Sequence, residues 1–182
     1  MEHFPKPYCE NQAAIKAFVL GCDPTAFDKN GKRLSFDYVF DLDNDLRYFA
    51  GVLRNLEFLD IFLKDIFVQN LVIKYQEQET SKNKGWKVLA LNVIPERKKE
   101  FDAIDNSKQV PVFLTSEVLY KVLLLPNEVE YKAFELYNLK APVPISPDQN
   151  LLQRPLFPLY RYFRYKLDKH STYANYVKTL LR

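Results

Sequence analysis

The sequence predicts an α/β domain of three layers, with helices on both faces of a four-stranded, mainly parallel sheet. Short, continuous apolar runs, which are typical of strands buried on both faces, alternate with longer segments in which apolar residues recur at helical spacing. The hydrophobic content of 47% and the aromatic content of 15% are those of a folded protein. Because no linker or low-complexity segment interrupts the pattern, we expect one domain over residues 1–182.

Four apolar runs are predicted as strands. The first stops at Gly21 and is followed by Asp23 and Pro24, a pair that usually marks a turn. The second is rich in β-branched residues, which favour strands. The fourth contains prolines, which limit how it can pair with a neighbouring strand. In chain order, the predicted strands are 15–21, 66–73, 109–115 and 140–146.

Helical spacing is found in the segments that follow these strands. Asn44 or Asp45 is suited to cap the first helix, and Pro95 is suited to the first turn of a second helical piece within residues 84–104. The chain closes with two further segments of helical pattern. In chain order, the predicted helical segments are 44–60, 84–104, 116–125, 127–139, 158–167 and 172–181.

The composition excludes several kinds of site. With only four Gly, the chain has neither the dinucleotide-binding fingerprint nor the phosphate-binding P-loop. Its two Cys and two His do not have the spacing of a metal site, so we expect no metal and no cofactor. No apolar run reaches about 18 residues and no signal-peptide pattern opens the chain. We therefore expect a cytoplasmic monomer that has no membrane partner.

The charged residues are unevenly distributed. The formal net charge is only +3, but residues 150–182 carry seven Lys and Arg against one acidic residue, Asp168. A basic, Tyr-rich end of this kind can bind a polyanion such as nucleic acid. The alternative interpretation is an ordinary solvated helical face.

Three side chains near the ends of predicted strands are candidates for chemistry, because ligands of parallel α/β sheets bind beyond the carboxyl ends of the strands. Asp23 can act as a general base or stabilise a developing positive charge, although Asp before Pro also commonly caps a turn. Phe36 can stack on a planar ligand or anchor its loop to the core. The amide of Asn70 can read the edge of a base or form a turn. The loops that should meet there are 21–44, 69–82, 115–117 and 146–155.

Other residues are candidates for contacts with a nucleic-acid backbone. Ser81, Lys82 and Lys84 precede a predicted helix, and the amino ends of helices bind phosphate. The adjacent Leu151 and Leu152 can form a wedge between stacked bases, although a leucine pair is more often part of a core.

The order and spacing of these motifs resemble the uracil-DNA glycosylase superfamily over roughly residues 15–166. The family's first motif, G-Q-D-P-Y, corresponds to Gly21, Asp23 and Pro24, and a base-stacking Phe follows 13 residues after the Asp, as Phe36 does here. A strand that ends in a uracil-reading Asn corresponds to the strand that ends at Asn70. The last motif, H-P-S-P, corresponds to residues 144–147, and a leucine wedge and a basic aromatic segment follow it.

The resemblance implies a fold like that of these glycosylases and hydrolysis of the N-glycosidic bond of uracil, or of a related damaged base, flipped out of DNA. Asp23 would orient the water and stabilise the positive charge on the sugar, Phe36 would stack on the base, and Asn70 would read its edge. Cys22 and Thr25 would lie beside the base. The remaining DNA contacts would come from Ser81, Lys82, Lys84, Ser146, Leu151, Leu152, Arg154 and Arg161.

Three departures from the family pattern affect this expectation. Cys22 replaces the Gln of the first motif, and Thr25 replaces a Tyr that blocks the methyl group of thymine, so selectivity against thymine should be relaxed. Pro144 replaces the motif His and has no N–H to donate. The loss of such a donor reduces a rate by about 10²–10³. Two alternatives follow: a catalytically weakened protein that binds nucleic acid or damaged bases, and an unrelated doubly wound domain that acts on a small nucleotide.

Overall fold

The sheet has four strands, all parallel, which confirms the predicted α/β class. The computed structural model describes residues 3–181, so Met1, Glu2 and Arg182 of the predicted domain lie outside the described residues. The spatial order of the strands is β2-β1-β3-β4. Their bounds are Ala17–Gly21 (β1), Ile66–Asn70 (β2), Val112–Leu114 (β3) and Leu156–Pro158 (β4).

Within residues 3–181, five α-helices and several short 3-10 turns connect and follow the strands. The helix bounds are Ala50–Phe58 (α1), Trp86–Ile104 (α2), Glu117–Leu123 (α3), Ala133–Tyr137 (α4) and Ser171–Leu180 (α5). The expected division of α2 at Pro95 is wrong, because the helix continues through this exposed proline. The predicted helix over 158–167 is also wrong: this segment continues from β4 into loops and two 3-10 turns.

The core is organised around β1, a central strand of the sheet in which every residue is buried. Phe18 of β1 pairs in register with Phe67 of β2. Phe101 of α2 stacks on Phe18 with 4.3 Å between ring centroids and meets Phe67 edge to face at 6.2 Å. Aromatic pairs in these geometries add to the free energy of simple burial, so this cluster fixes α2 on the sheet.

The fourth strand is not at 140–146, as predicted, but at Leu156–Pro158. The predicted segment contributes only an antiparallel bridge, in which Ile145 and Leu156 exchange two backbone hydrogen bonds of 3.0 and 3.1 Å. Pro158 is tolerated in β4 because this is an edge strand. The amide of the next residue, Leu159, donates to Leu114 of β3, so by alternation the nitrogen of Pro158 faces the open edge.

Arg154 and Leu152 were predicted to contact DNA, and their burial corrects that prediction. Leu152 is a fully buried core residue. Arg154 is 0% exposed, and its guanidinium donates to Asp105 at 2.7 Å and to Asp102 at 2.9 Å. The same guanidinium lies 5.2 Å from the centroid of the Phe18 ring. Arg154 therefore joins the end of α2 to the segment before β4, and its charge is already neutralised inside the protein.

Replacement of Arg154 by Met should destabilise the protein at pH 7 by about 3 kcal/mol, since it leaves partly buried carboxylates without their partner. Burial acts to raise the pKa of Asp105, but hydrogen bonds from Ser107, Arg154 and the Val110 amide outweigh it and lower the pKa to about 2. The stabilisation is therefore present above about pH 4 and is lost as the pH falls towards 2.

Urea denaturation of both proteins between pH 7 and pH 2 measures this effect. The difference in unfolding free energy between wild type and Arg154→Met should shrink as the pH falls through this window. Replacement of the exposed Arg54 of α1 by Met is the control and should change stability by less than about 0.5 kcal/mol. If the difference in unfolding free energy between wild type and Arg154→Met did not change with pH, the ion pair between Arg154 and Asp105 would not be its cause.

Candidate functional site

A cavity of about 530 Å³ lies beyond the carboxyl ends of the strands. The connections from β1 and β3 leave in opposite directions along the sheet, and the crevice between two such strands is where open α/β sheets bind ligands. Its volume lies within the range of small-molecule sites. The segments that contribute most of its wall are 22–27, 79–81, 115–118 and 160–162.

The residues that were predicted to surround the base all line this cavity. Asp23, Phe36 and Asn70 all line it, although they come from different loops. Four further predicted residues also line it: Cys22, Thr25, Ser81 and Arg161. Three of the four loops expected to meet beyond the strands therefore do so.

The segment before β4 does not reach the cavity. Four residues predicted to contact DNA lie in this segment, which approaches the opposite end of the strand: Ser146, Leu151, Leu152 and Arg154. Pro144, which was placed at the position of the motif His, does not line the cavity either. The displaced fourth strand is the cause, because the loop at its carboxyl end begins at Leu159. Lys82 and Lys84 are exposed in the loop next to Ser81.

The carboxylate of Asp23 is held from two sides. Its Oδ1 accepts a hydrogen bond from the backbone amide of Thr25 at 2.9 Å, the contact expected of an Asp in a turn. Its Oδ2 accepts from the hydroxyl of Thr80 in the loop after β2. The hydroxyl of Thr25 accepts from the amide of Gln76 at 2.7 Å, so the two loops are tied together. A carboxylate has about four acceptor sites, so Asp23 can accept further bonds from a ligand or a water molecule.

Asn70 ends β2 and carries a polar atom that the protein does not satisfy. Its side chain is 2% exposed, and its Oδ1 has no hydrogen-bond partner among residues 3–181. Gly21 is its register partner on β1. A Cβ at Gly21 would overlap Asn70 Oδ1 and would lie 2.6 Å from Cζ of Phe40. The amide and this aromatic ring thus share the space that a side chain at position 21 would fill.

Two phenylalanines form aromatic parts of the cavity wall. Phe36 is fixed by its backbone amide, which donates to the hydroxyl of Tyr75 at 2.8 Å, and by an edge-to-face contact of 5.4 Å with Tyr48. Phe40 has a φ of 57°, in the left-handed region that an aromatic residue rarely adopts. Such backbone conformations concentrate at functional sites. No spacing rule pointed to Phe40, because only the fold brings its ring against Gly21.

Cys22 lies next to Asp23 and stays protonated at neutral pH. Burial raises the pKa of its thiol to about 11, and the neighbouring Asp23 carboxylate contributes in the same direction. The side chains of Ser116 and Thr80 act in the opposite direction but do not outweigh burial. A thiol of this kind is a poor nucleophile, because the reactive form is the thiolate.

The residues that follow β4 complete the cavity, and the sequence patterns did not identify them except for Arg161. Tyr160 is 2% exposed and lines the wall, and its amide donates to the hydroxyl of Tyr137 at 2.7 Å. Its own hydroxyl has no partner in the described part of the chain. Burial raises the pKa of this phenol, so it is neutral. Tyr160 was not predicted as a site residue because residues 158–167 were predicted to form a helix. A residue within a helix is not expected at the carboxyl end of a strand.

Neither a metal cluster nor a spanning helix is found in the described range. Within residues 3–181, no three His, Cys, Asp or Glu side chains gather as metal ligands. No helix in that range has the length and apolar character needed to cross a bilayer. Comparisons of the chain with protein-family models, with curated proteins and with solved structures gave no match.

Replacement of Gly21 by Ala should destabilise the protein by about 1–3 kcal/mol, because the added methyl group overlaps Asn70 and Phe40. Thermal or urea denaturation measures this loss. The control is Gly51→Ala in α1, where the added Cβ would have its nearest contact at 3.9 Å. Alanine favours a helix over glycine by about 0.5–1 kcal/mol, so the control should be stabilised. Equal effects of the two substitutions would contradict the packing at Gly21.

Proposed function

We infer that this protein binds a nucleobase flipped out of DNA and hydrolyses its N-glycosidic bond, with uracil or a related damaged base as the substrate. One observation carries the proposal: the carboxylate of Asp23, aromatic rings and the Asn70 amide, whose oxygen has no partner among residues 3–181, all line one cavity between β1 and β3. A planar base with hydrogen-bonding edges has the chemistry to satisfy the amide and to stack on the rings.

The topology supports a three-layer arrangement like that expected from the resemblance to uracil-DNA glycosylases. The connection from β1 runs to β2 on one side, and the connection from β2 crosses back to β3 on the other side. Crossovers between parallel strands are right-handed. Crossovers that run in opposite directions along the sheet therefore put α1 and α2 on opposite faces.

The proposed reaction divides the chemistry between Asp23 and the residues around the base. The bond between C1′ of the sugar and the base nitrogen breaks, and its electron pair leaves with the base. The carboxylate of Asp23 stabilises the positive charge that develops on the sugar. A water molecule then adds to C1′ and loses a proton, which gives an abasic sugar, and the departed base takes up a proton. Asn70 and Phe36 hold the base in position for this step.

The DNA strand beside the flipped base would lie on the segment after β4 rather than on residues 146–154. Tyr162 and Phe163 are 51% and 55% exposed and pack edge to face at 4.6 Å. The guanidinium of Arg164 lies 5.8 and 5.9 Å from their ring centroids, and Arg161 lines the cavity next to them. Exposed aromatic rings interleaved with arginines form the kind of surface on which bases stack and phosphates bind.

Single-stranded and duplex oligonucleotides that carry one uracil test the catalytic proposal. Wild-type protein should produce an abasic site, detected as strand scission after alkali, and Asp23→Asn should slow this step by about 10²–10³. Asp28→Asn is the matched control. Asp28 also accepts backbone hydrogen bonds in a turn, at 2.8 and 2.9 Å, but does not line the cavity.

The outcomes of this assay separate the proposal from its alternatives. Scission that disappears in Asp23→Asn and persists in Asp28→Asn supports the glycosylase. Uracil-dependent binding without scission supports the alternative of a base-binding protein of the same fold. Neither scission nor binding would show that the proposal is wrong and would favour a small-nucleotide ligand.

Removal of the exposed aromatic rings tests the DNA surface. Tyr162→Ala and Phe163→Ala should each weaken oligonucleotide binding by about 1–3 kcal/mol per stacked base, measured by fluorescence anisotropy. Phe134→Ala is the control, because Phe134 is likewise exposed beside a cation, Lys140, at 5.6 Å, but lies outside the cavity wall. Equal binding by all three variants and wild type would exclude this surface.

A further inference from the structure

We propose that the cavity also accepts a base that already carries a positive charge, such as a purine alkylated on N7, and releases it from DNA as a neutral molecule. This inference rests on the proposed function and adds a second class of substrate to the same site. Two features of the cavity wall favour such a base: its carboxylates and its aromatic rings.

Acidic residues outnumber basic residues in the cavity wall. Asp23, Glu79 and Glu117 line it together with one basic residue, Arg161, so its formal charge is −2. Both hydrogen bonds that residues 3–181 donate to the Asp23 carboxylate come from neutral groups, an amide and a hydroxyl, so they do not cancel its charge. In the proposed complex Arg161 would bind a phosphate, which leaves the carboxylates to set the charge around the base.

Two of these carboxylates pair with lysines that lie outside the cavity wall. Glu79 is 3.4 Å from the ammonium of Lys82, and Glu117 is 3.1 Å from the ammonium of Lys121. All four side chains are at least 42% exposed. Ion pairs this exposed are weak, because water screens them. A cation inside the cavity can therefore still attract both carboxylates.

Aromatic rings line the cavity from two parts of the chain. Phe36 and Tyr48 come from loops that follow β1 and meet edge to face at 5.4 Å. Tyr160 and Tyr165 come from the segment after β4 and meet edge to face at 5.7 Å. A neutral planar base would stack on such rings, but a charged base gains a cation–π attraction as well, which increases where water is excluded.

The chemistry of a charged base also removes the need for a donor to the leaving group. When the bond between C1′ and N9 of an N7-alkylated purine breaks, its electron pair moves into the ring and cancels the positive charge. The base leaves neutral and takes up no proton, while water adds to C1′ and loses a proton. The carboxylate of Asp23 still stabilises the charge on the sugar. Pro144 stands where the family motif has its donor, and neither His3 nor His170 lines the cavity, but this reaction requires none.

An oligonucleotide that carries one 7-methyl-2′-deoxyguanosine tests the release. At pH 7, the wild type should release free 7-methylguanine faster than it is lost spontaneously, as measured by liquid chromatography. Asp23→Asn should slow the protein-dependent release by about 10²-fold. Asp28→Asn, outside the cavity wall, should leave it unchanged.

Binding separates the charge of the base from its shape. In 7-deaza-7-methyl-2′-deoxyguanosine, carbon replaces N7, so the methyl group is retained and the positive charge is absent. A fluorine at C2′ of both nucleotides prevents cleavage of the charged one. The wild type should bind the charged oligonucleotide about 3- to 30-fold more tightly than the neutral one, measured by fluorescence anisotropy.

Substitutions in the cavity wall should lower this affinity ratio. Phe36→Leu keeps an apolar side chain but removes the ring, and should lower the ratio by about 3-fold or more. Glu117→Gln removes only the charge of an exposed side chain, so it should fold as the wild type does and lower the ratio by roughly 2- to 5-fold. Phe134→Leu and Glu57→Gln are the matched controls, since both residues are exposed and lie outside the cavity wall.

The outcomes distinguish this inference from the function on which it rests. Equal affinity of the wild type for the charged and neutral nucleotides, or no release of 7-methylguanine, would overturn the charged substrate class, and cleavage of uracil would still support the glycosylase. Controls that lower the ratio as much as the cavity variants would overturn it as well. Release of 7-methylguanine without cleavage of uracil would support the charged class and show that uracil is not a substrate. If the wild type cleaves neither base, both proposals fail.

Discussion

Gly21 and Asn70 are register partners at the carboxyl ends of β1 and β2, and the amide of Asn70 occupies the space that a side chain at position 21 would fill. The ring of Phe40 enters the same space. Any Cβ at position 21 would push both groups away, and the loop that begins at Cys22 would move with them. Because Asp23 is only two residues further along, the position of its carboxylate depends on the same close approach.

This arrangement leaves the site with unfavourable features that the rest of the fold must offset. Asn70 and Tyr160 each bury a polar atom that has no partner among residues 3–181, and Phe40 has a left-handed backbone conformation. A buried unpaired group is unfavourable by about 1–3 kcal/mol, and strain of this kind is characteristic of functional sites. The opposite end of the sheet is the contrasting case. There, Arg154 makes two ion pairs and lies over Phe18, so it holds α2 and the approach to β4 together.

The first three strands could be predicted because each begins as a short apolar run, although the second ends at Asn70 and not at Ile73. Asp23 and Asn70 were predicted from the ends of these strands, and Phe36 from its spacing after Asp23. The fourth strand could not be predicted, since the runs before and after Arg154 are both apolar and both contain proline, and only the edge position of β4 explains why Pro158 is tolerated. From the sequence, Arg154 was predicted to be an exposed cation that contacts DNA. Its partners lie 49 and 52 residues away in sequence, a distance over which a local pattern carries no information.

Two groups of the cavity wall, the thiol of Cys22 and the phenol of Tyr160, are uncharged and lie in the same wall as the carboxylate of Asp23 and the guanidinium of Arg161. Burial raises the pKa of both Cys22 and Tyr160, so each remains a neutral hydrogen-bond donor at physiological pH. A fixed cation in their place would attract any anion and would stabilise the charged product as strongly as the transition state. Neutral donors bind weakly to a neutral carbonyl and more strongly as negative charge appears on it, and interactions that strengthen in this way accelerate a reaction. In the proposed reaction, the carboxylate of Asp23 on the sugar side and a neutral donor such as the Cys22 thiol on the base side would separate the two charges that form when the glycosidic bond breaks.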